Sequence, residues 1–255
     1  MANFIWMYCS GLTFSTYNPV FYNNTLDFTT NVLLLTNIQQ LIVSAKDCRI
    51  ILDIIFFLLP LILIYVHYFK IKLRPIFAIA NTLYNIFYCA LIPIFTCTSV
   101  QQYIPWMIIP LVFIYKSEEK FATIFYCLRW VFLAIFLSAG LWKIATGSIF
   151  YTEQFSAILI QQHAQALIDG KAKFYINTLI QHKYLAYFFY IAAFIAEVSF
   201  IIGFFTKKYD RYLAVFFCAF ILLDYVLMEI NYFSWIAFIG FLLLPTKQNV
   251  KDLQK

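Results

Sequence analysis

Charged residues are scarce in this chain. Asp, Glu, Lys and Arg make up 12% of its 255 residues, while 64% are apolar and 21% aromatic, against roughly a quarter charged in an ordinary soluble domain. Too few polar groups remain to cover a water-facing surface, which excludes a soluble globular domain. The Cys-x-x-Cys pairs and Cys/His spacings of zinc and redox sites are missing, and four of the 6 cysteines lie inside apolar runs, where a thiol acts as a small hydrophobe. His163 and His182 have no Cys or acidic companion at ligand spacing, so no metal is expected and both read as solvated or capping residues. Walker loop, nucleophile elbow, His-Glu-x-x-His and dinucleotide fingerprints are absent, as are internal repeats, low-complexity runs and linkers. The first ten residues hold no basic segment and no small-residue cleavage site follows, so the first spanning helix is expected to serve as its own insertion signal.

What the chain does contain is a series of apolar runs near the ~20 residues needed to cross ~30 Å of hydrocarbon as a helix. The expected fold is therefore all-α: a polytopic transmembrane helical bundle of about seven spans, with additional interfacial helices. Residues 1–47 mix aromatics with Asn, Thr and Ser and read as an N-terminal interfacial segment. The bundle occupies 48–245, with spans at 48–68, two within the uncharged stretch 75–115, then 121–146, 184–205, 212–228 and 232–244. Between the fourth and fifth lies a long connection, 147–183, with helical periodicity at Phe155, Ile158, Leu159 and Leu167 and a break at Asp169-Gly170. Residues 246–255 form a polar tail.

The net charge of +6 sits largely in the connections, where topology explains it better than a nucleic-acid partner does. With alternating sides, Lys and Arg at 70, 72, 74, 116, 120, 207, 208, 211, 247, 251 and 255 share one face of the membrane and those at 46, 49, 171, 173 and 183 the other. That bias makes the first side, with the C-terminus, cytoplasmic.

A cation in hydrocarbon costs roughly 3 kcal/mol on insertion scales, so charges inside spans usually have a partner or a task. Arg129 and Glu197 lie ~12 Å in from the cytoplasmic side by helix rise. They are matched in depth and opposite in sign, which predicts an Arg129–Glu197 ion pair. Lys143, Asp224, Asp53 and Glu229 collect in the far half and form the candidate ligand-binding set. Asp224, flanked by apolar residues, needs either a cation or a proton. Lys143 reads as a structural or ligand-orienting cation, a catalytic base, or an interfacial snorkel. Ala139 and Gly140, one turn earlier, allow close helix approach.

The stretch Ala139-Gly140-Leu141-Trp142-Lys143-Ile144 resembles the Ala-Gly-x-x-Lys-hydrophobic signature of the horizontally transferred transmembrane (HTTM) domain, shared with the membrane part of vitamin K-dependent γ-carboxylase. Further features follow in that family's order across about 125–245: Glu197, the turn Lys207-Lys208-Tyr209-Asp210-Arg211, Phe233, and Leu242-Leu243-Leu244-Pro245. The smaller DoxX-like and MauE-like membrane proteins carry a similar helix. The resemblance implies a base role for Lys143 toward a reduced quinone. Against that activity, Asp224 stands where the family has a histidine, no His lies between His67 and His163, and the family enzyme's large lumenal domain has no counterpart here.

Three functions follow as expectations. One is an HTTM-like protein with a quinone or lipid at Lys143 and Asp224, whether or not it is an enzyme. The second is a proton or solute transporter using the buried acids. The third is a structural subunit of a membrane assembly held to partner proteins. The lipid bilayer is a partner in all three.

Overall fold

In hydrocarbon no water is available to the backbone, so each N–H and C=O must bond within its own segment and apolar runs become helices. The computed structural model describes residues 8–9, 13–16, 35–36, 38–95, 104–115, 117–230 and 232–244, and every regular element among them is helical. In chain order these are α1 (Ile38–Ser44), α2 (Lys46–Phe69), α3 (Arg74–Phe95), α4 (Ile104–Ile108), α5 (Glu118–Ala145), α6 (Gln154–Gln162), α7 (Ala164–Ile168), α8 (Phe174–Gln181), α9 (Lys183–Ser199), α10 (Ile202–Phe205), α11 (Asp210–Met228) and α12 (Ile239–Leu243). Four stretches are long and apolar enough to cross a membrane: α2, α5, the run Lys183–Phe205 formed by α9 and α10, and α11.

Two of the expected spans are short helical segments instead. Ile104–Ile114 and Phe233–Leu243 are apolar, but each reaches only ~16–22 Å, less than the ~30 Å of hydrocarbon. Proline accounts for the first, since Pro105 and Pro110 remove amide donors and tighten the second half into 3₁₀ geometry. The polar tail and most of the N-terminal interfacial segment lie outside the described residues.

The chain divides into two compact units, Met1–Ile124 with Phe233–Trp235 and Phe125–Tyr232 with Ile236–Lys255. In the first, α2 and α3 form a hairpin whose core is Phe14, Phe56, Tyr88 and Leu91. The Tyr88 ring stacks on Phe56 with centroids 4.2 Å apart. The uncharged stretch after Arg74 folds back on itself, because the Arg74 guanidinium donates to the Tyr115 carbonyl and lies 3.8 Å over the Tyr115 ring. Its two ends are therefore neighbours.

Ring contacts set the directions in the second unit. Gly140 abuts Glu197 and Val198 while Gly203 abuts Leu133, so Lys183–Phe205 runs antiparallel to α5. Phe217 packs on Phe132 and Phe220 on Phe136, so α11 runs parallel to α5. Phe238 meets Phe132 and Phe241 meets Phe125, which turns the last segment antiparallel again. The connection 147–183 folds its amphipathic helices onto α9, burying Phe155, Leu159, Ile176 and Leu179 against Ala186 and Tyr190. Its break falls at Asp169-Gly170, with Gly170 at φ 65° in the left-handed region.

The expected Arg129–Glu197 pair does not form. Arg129 instead donates through Nη2 and Nε to the two carboxylate oxygens of Asp210 at 2.7 and 3.1 Å, and through Nη2 to the Gly203 carbonyl at 2.8 Å. Helix ends explain the choice. Gly203 belongs to the last turn of α10, where carbonyls lack helical donors, and Asp210 opens α11, where a negative charge meets the positive end of the helix. One planar guanidinium thus closes both ends of the 206–209 turn. Gly203 is needed for this approach, because a Cβ there would stand 2.7 Å from Leu133 Cδ2. Replacing Arg129 with Met leaves Asp210 buried alone and is expected to destabilise the protein by about 3–5 kcal/mol in detergent unfolding, whereas Arg129→Met/Asp210→Leu recovers most of that loss.

Candidate intramembrane charge site

Gly140 lets α5 and α9 approach closely near the charged residues. A Cβ at this position would lie 2.8 Å from Val198 Cγ2 and 3.4 Å from Glu197 Cβ, so the bare glycine brings the backbones close enough for side chains one turn on to meet. Lys143, in the last turn of α5, then reaches Glu197 with Nζ–Oε1 at 2.8 Å. The pair is sequestered, with 19% of the Lys143 side chain and 5% of the Glu197 side chain exposed.

The surroundings hold the ammonium in place. Its Nζ lies 4.9 Å over the Tyr190 ring, a cation–π contact that strengthens when desolvated. The Tyr190 hydroxyl is fixed by a 2.9 Å bond to Ser148 Oγ, and Ser148 Oγ in turn donates to the Lys143 carbonyl at 3.2 Å. Gly147, at φ 70°, makes the reversal that returns Ser148 to the end of its own helix.

Two acceptors remain open at the site. Glu197 Oε2 is buried and has no hydrogen-bond partner, although a buried carboxylate oxygen normally has one. Asp224, half-buried on α11, interacts electrostatically with both Glu197 and Lys143. It makes no hydrogen bond or ion pair among the described residues. With all three groups ionised, the cluster carries one negative charge in excess, in a setting of low dielectric where that excess attracts a proton, a cation or a hydrogen-bond donor.

The structure brings Lys143 and Asp224 together and adds Glu197, which the depth argument had assigned to Arg129. The other two expected members are elsewhere. Asp53 belongs to the first unit, where its carboxylate accepts from the backbone N–H of Phe14 at 3.1 Å, the N–H of Ser15 at 2.7 Å and the Tyr88 hydroxyl at 2.6 Å. Three donors satisfy it without Lys143. Glu229 stands at the end of α11, exposed, and pairs with Lys173 at 2.9 Å.

Capping explains that end of the site. Glu229 takes a left-handed φ of 56°, and the exposed carbonyls of the last α11 turn are met by the connection 147–183. His163 Nε2 bonds the Leu227 carbonyl at 2.7 Å and the Tyr175 hydroxyl donates to the Val226 carbonyl at 3.0 Å. His163 is thus a buried capping residue. His182 is exposed.

No family model, curated protein or solved structure matches the chain.

Two outcomes test this geometry. Gly140→Val should force α5 from α9 and lower stability by about 1–3 kcal/mol, and a probe of the Lys143–Glu197 contact, such as the Glu197 carboxylate infrared band, should move with it; an unmoved band contradicts the close approach. At the exposed end, the hydrogen bond from Lys173 holds the Glu229 carboxyl below the usual carboxylate range. A depressed carboxyl stabilises the fold above its unfolded pKa and loses that contribution as pH falls through the folded value. Lys173→Gln should therefore move the Glu229 titration, read by carboxyl carbon NMR, upward toward the ordinary range.

Proposed function

We propose that this chain is a multi-pass membrane protein whose Lys143–Glu197–Asp224 cluster binds the polar head of an amphiphilic ligand of the quinone or lipid class. The observation that carries this reading is the buried, unpartnered Oε2 of Glu197 beside an ammonium and a second, unpaired carboxylate. A carbonyl oxygen on the ligand would accept from Lys143, and a hydroxyl would donate to Glu197 or Asp224. The apolar remainder would lie along the surrounding helices or in lipid. In favour of the HTTM-like resemblance, three of the positions it singles out, Lys143, Glu197 and Asp224, converge in this one cluster.

Lys143 acts here as the orienting cation and not as the base. The 2.8 Å contact with Glu197 engages the Nζ group that a base would have to present to the ligand. For topology, we propose seven chain passages, two of them made by the short segments Ile104–Ile114 and Phe233–Leu243. Each unit gathers basic residues at one end: Lys70, Lys72 and Arg74 in the first, Lys207, Lys208 and Arg211 in the second. Those ends face the cytoplasm, as does the C-terminus.

The test is mass spectrometry of lipids retained after mild detergent purification. The native chain should keep a quinone or other isoprenoid-type lipid near one per protein, and Lys143→Met and Asp224→Asn should each reduce its retention on the order of tenfold. Equal retention in all three proteins contradicts the site. Absence of the ligand combined with pH-driven flux in liposomes that Asp224→Asn abolishes would replace it with proton transport.

A further inference from the structure

The first unit contains a buried cation that has no counter-ion among the described residues. Arg74 opens α3 and is 5% exposed. Its guanidinium donates to the Tyr115 carbonyl, and Nη1 lies 3.5 Å from His67 Nδ1. Its Nε is buried with no partner, and no carboxylate pairs with it among the described residues. The chain offers little choice nearby, since residues 54–117 contain no Asp or Glu but do contain Lys70, Lys72, Arg74 and Lys116.

Position makes the imbalance worse. Arg74 sits at the positive end of a helix, where a cation is disfavoured and an anion favoured. Two features of a neutral resting place are absent among the described residues, a paired carboxylate and full hydrogen bonding of the fork, and the one partial compensation is the Tyr115 carbonyl, which ends the 3₁₀ segment Ile109–Ile114. Lys70 and Lys72, both exposed, lie just before it in the turn from α2, with half-buried His67 one turn earlier.

We propose that this end of the first unit binds a phosphate-bearing anion, with Arg74 as the buried anchor and Lys70 and Lys72 as the exposed rim. A guanidinium with an unused N–H matches the oxygens of a phosphate, and the rim supplies the long-range attraction. The phosphate comes either from the headgroup of an anionic phospholipid or from a free ion, and the two sources are separable by experiment. This site is independent of the Lys143 cluster.

The full chain, purified in mild detergent, is titrated with phosphatidylglycerol, phosphatidylcholine and inorganic phosphate, with binding read by native mass spectrometry and thermal shift. Phosphatidylglycerol should bind about tenfold more tightly than phosphatidylcholine, and Arg74→Gln should erase the preference. Lys70→Gln/Lys72→Gln, confined to exposed positions, should fold normally and weaken the preference roughly threefold, which keeps the proposal testable if Arg74→Gln fails to fold. Displacement of the lipid by millimolar inorganic phosphate identifies a free-phosphate site, and persistence of the lipid identifies a headgroup site. Equal binding of the two lipids by the native chain, or a preference that survives either variant, overturns the proposal.

Discussion

An ionised side chain removed from water has to be neutralised by something within reach, and the second unit is arranged around two such neutralisations. Arg129 meets Asp210 and Lys143 meets Glu197. The two pairs differ in what they leave over. Around Arg129 the carboxylate is engaged through both oxygens and a further bond goes to a helix-terminal carbonyl, so the carboxylate keeps no open oxygen for a ligand. Around Lys143 one carboxylate oxygen stays open and a second acid stands nearby. A saturated pair fastens helices, whereas an unsaturated one retains a capacity to bind.

Between the two pairs lies a buried aromatic layer. Phe132, Phe136, Phe200, Phe217 and Phe238 are buried and meet one another edge to face or stacked. Rings of this size bury large apolar areas and add orientation-dependent contacts, and they separate the turn at 206–209 from the Lys143 cluster. Excluding water from that layer raises the energetic weight of every charge beside it. Two glycines make the arrangement possible, since Gly140 and Gly203 are the positions where added Cβ atoms would strike the neighbouring helix.

Composition and run length were enough to read the helical class of the described residues, and four of the expected spans are helical stretches long and apolar enough to cross a membrane. The two that are shorter followed from proline and from 3₁₀ winding, effects that hydropathy does not register. Depth counting from the ends of apolar runs misassigned Arg129, because it treated 184–205 as one straight helix and left Asp210 in the basic turn Lys207–Arg211. The chain in fact leaves α-helical geometry between α9 and α10, with Gly203 N–H bonding Phe200 and Phe204 N–H bonding Ile201. Glycine spacing was the signal that would have corrected it: Gly140 precedes Lys143 by one turn and marks the face that meets Glu197. Asp53 was unreadable for another reason, since two of its three partners come from residues 13–16, a turn with no periodicity to announce it.

The pairing of charges is the claim from which the candidate site follows, and a double-mutant cycle in detergent unfolding measures it most directly. Removing Lys143 and Glu197 singly and together, and Arg129 and Glu197 likewise, gives two coupling energies. The account predicts coupling of about 1 kcal/mol or more between Lys143 and Glu197 and none beyond ~0.5 kcal/mol between Arg129 and Glu197. The reverse order, or no coupling in either cycle, would contradict it.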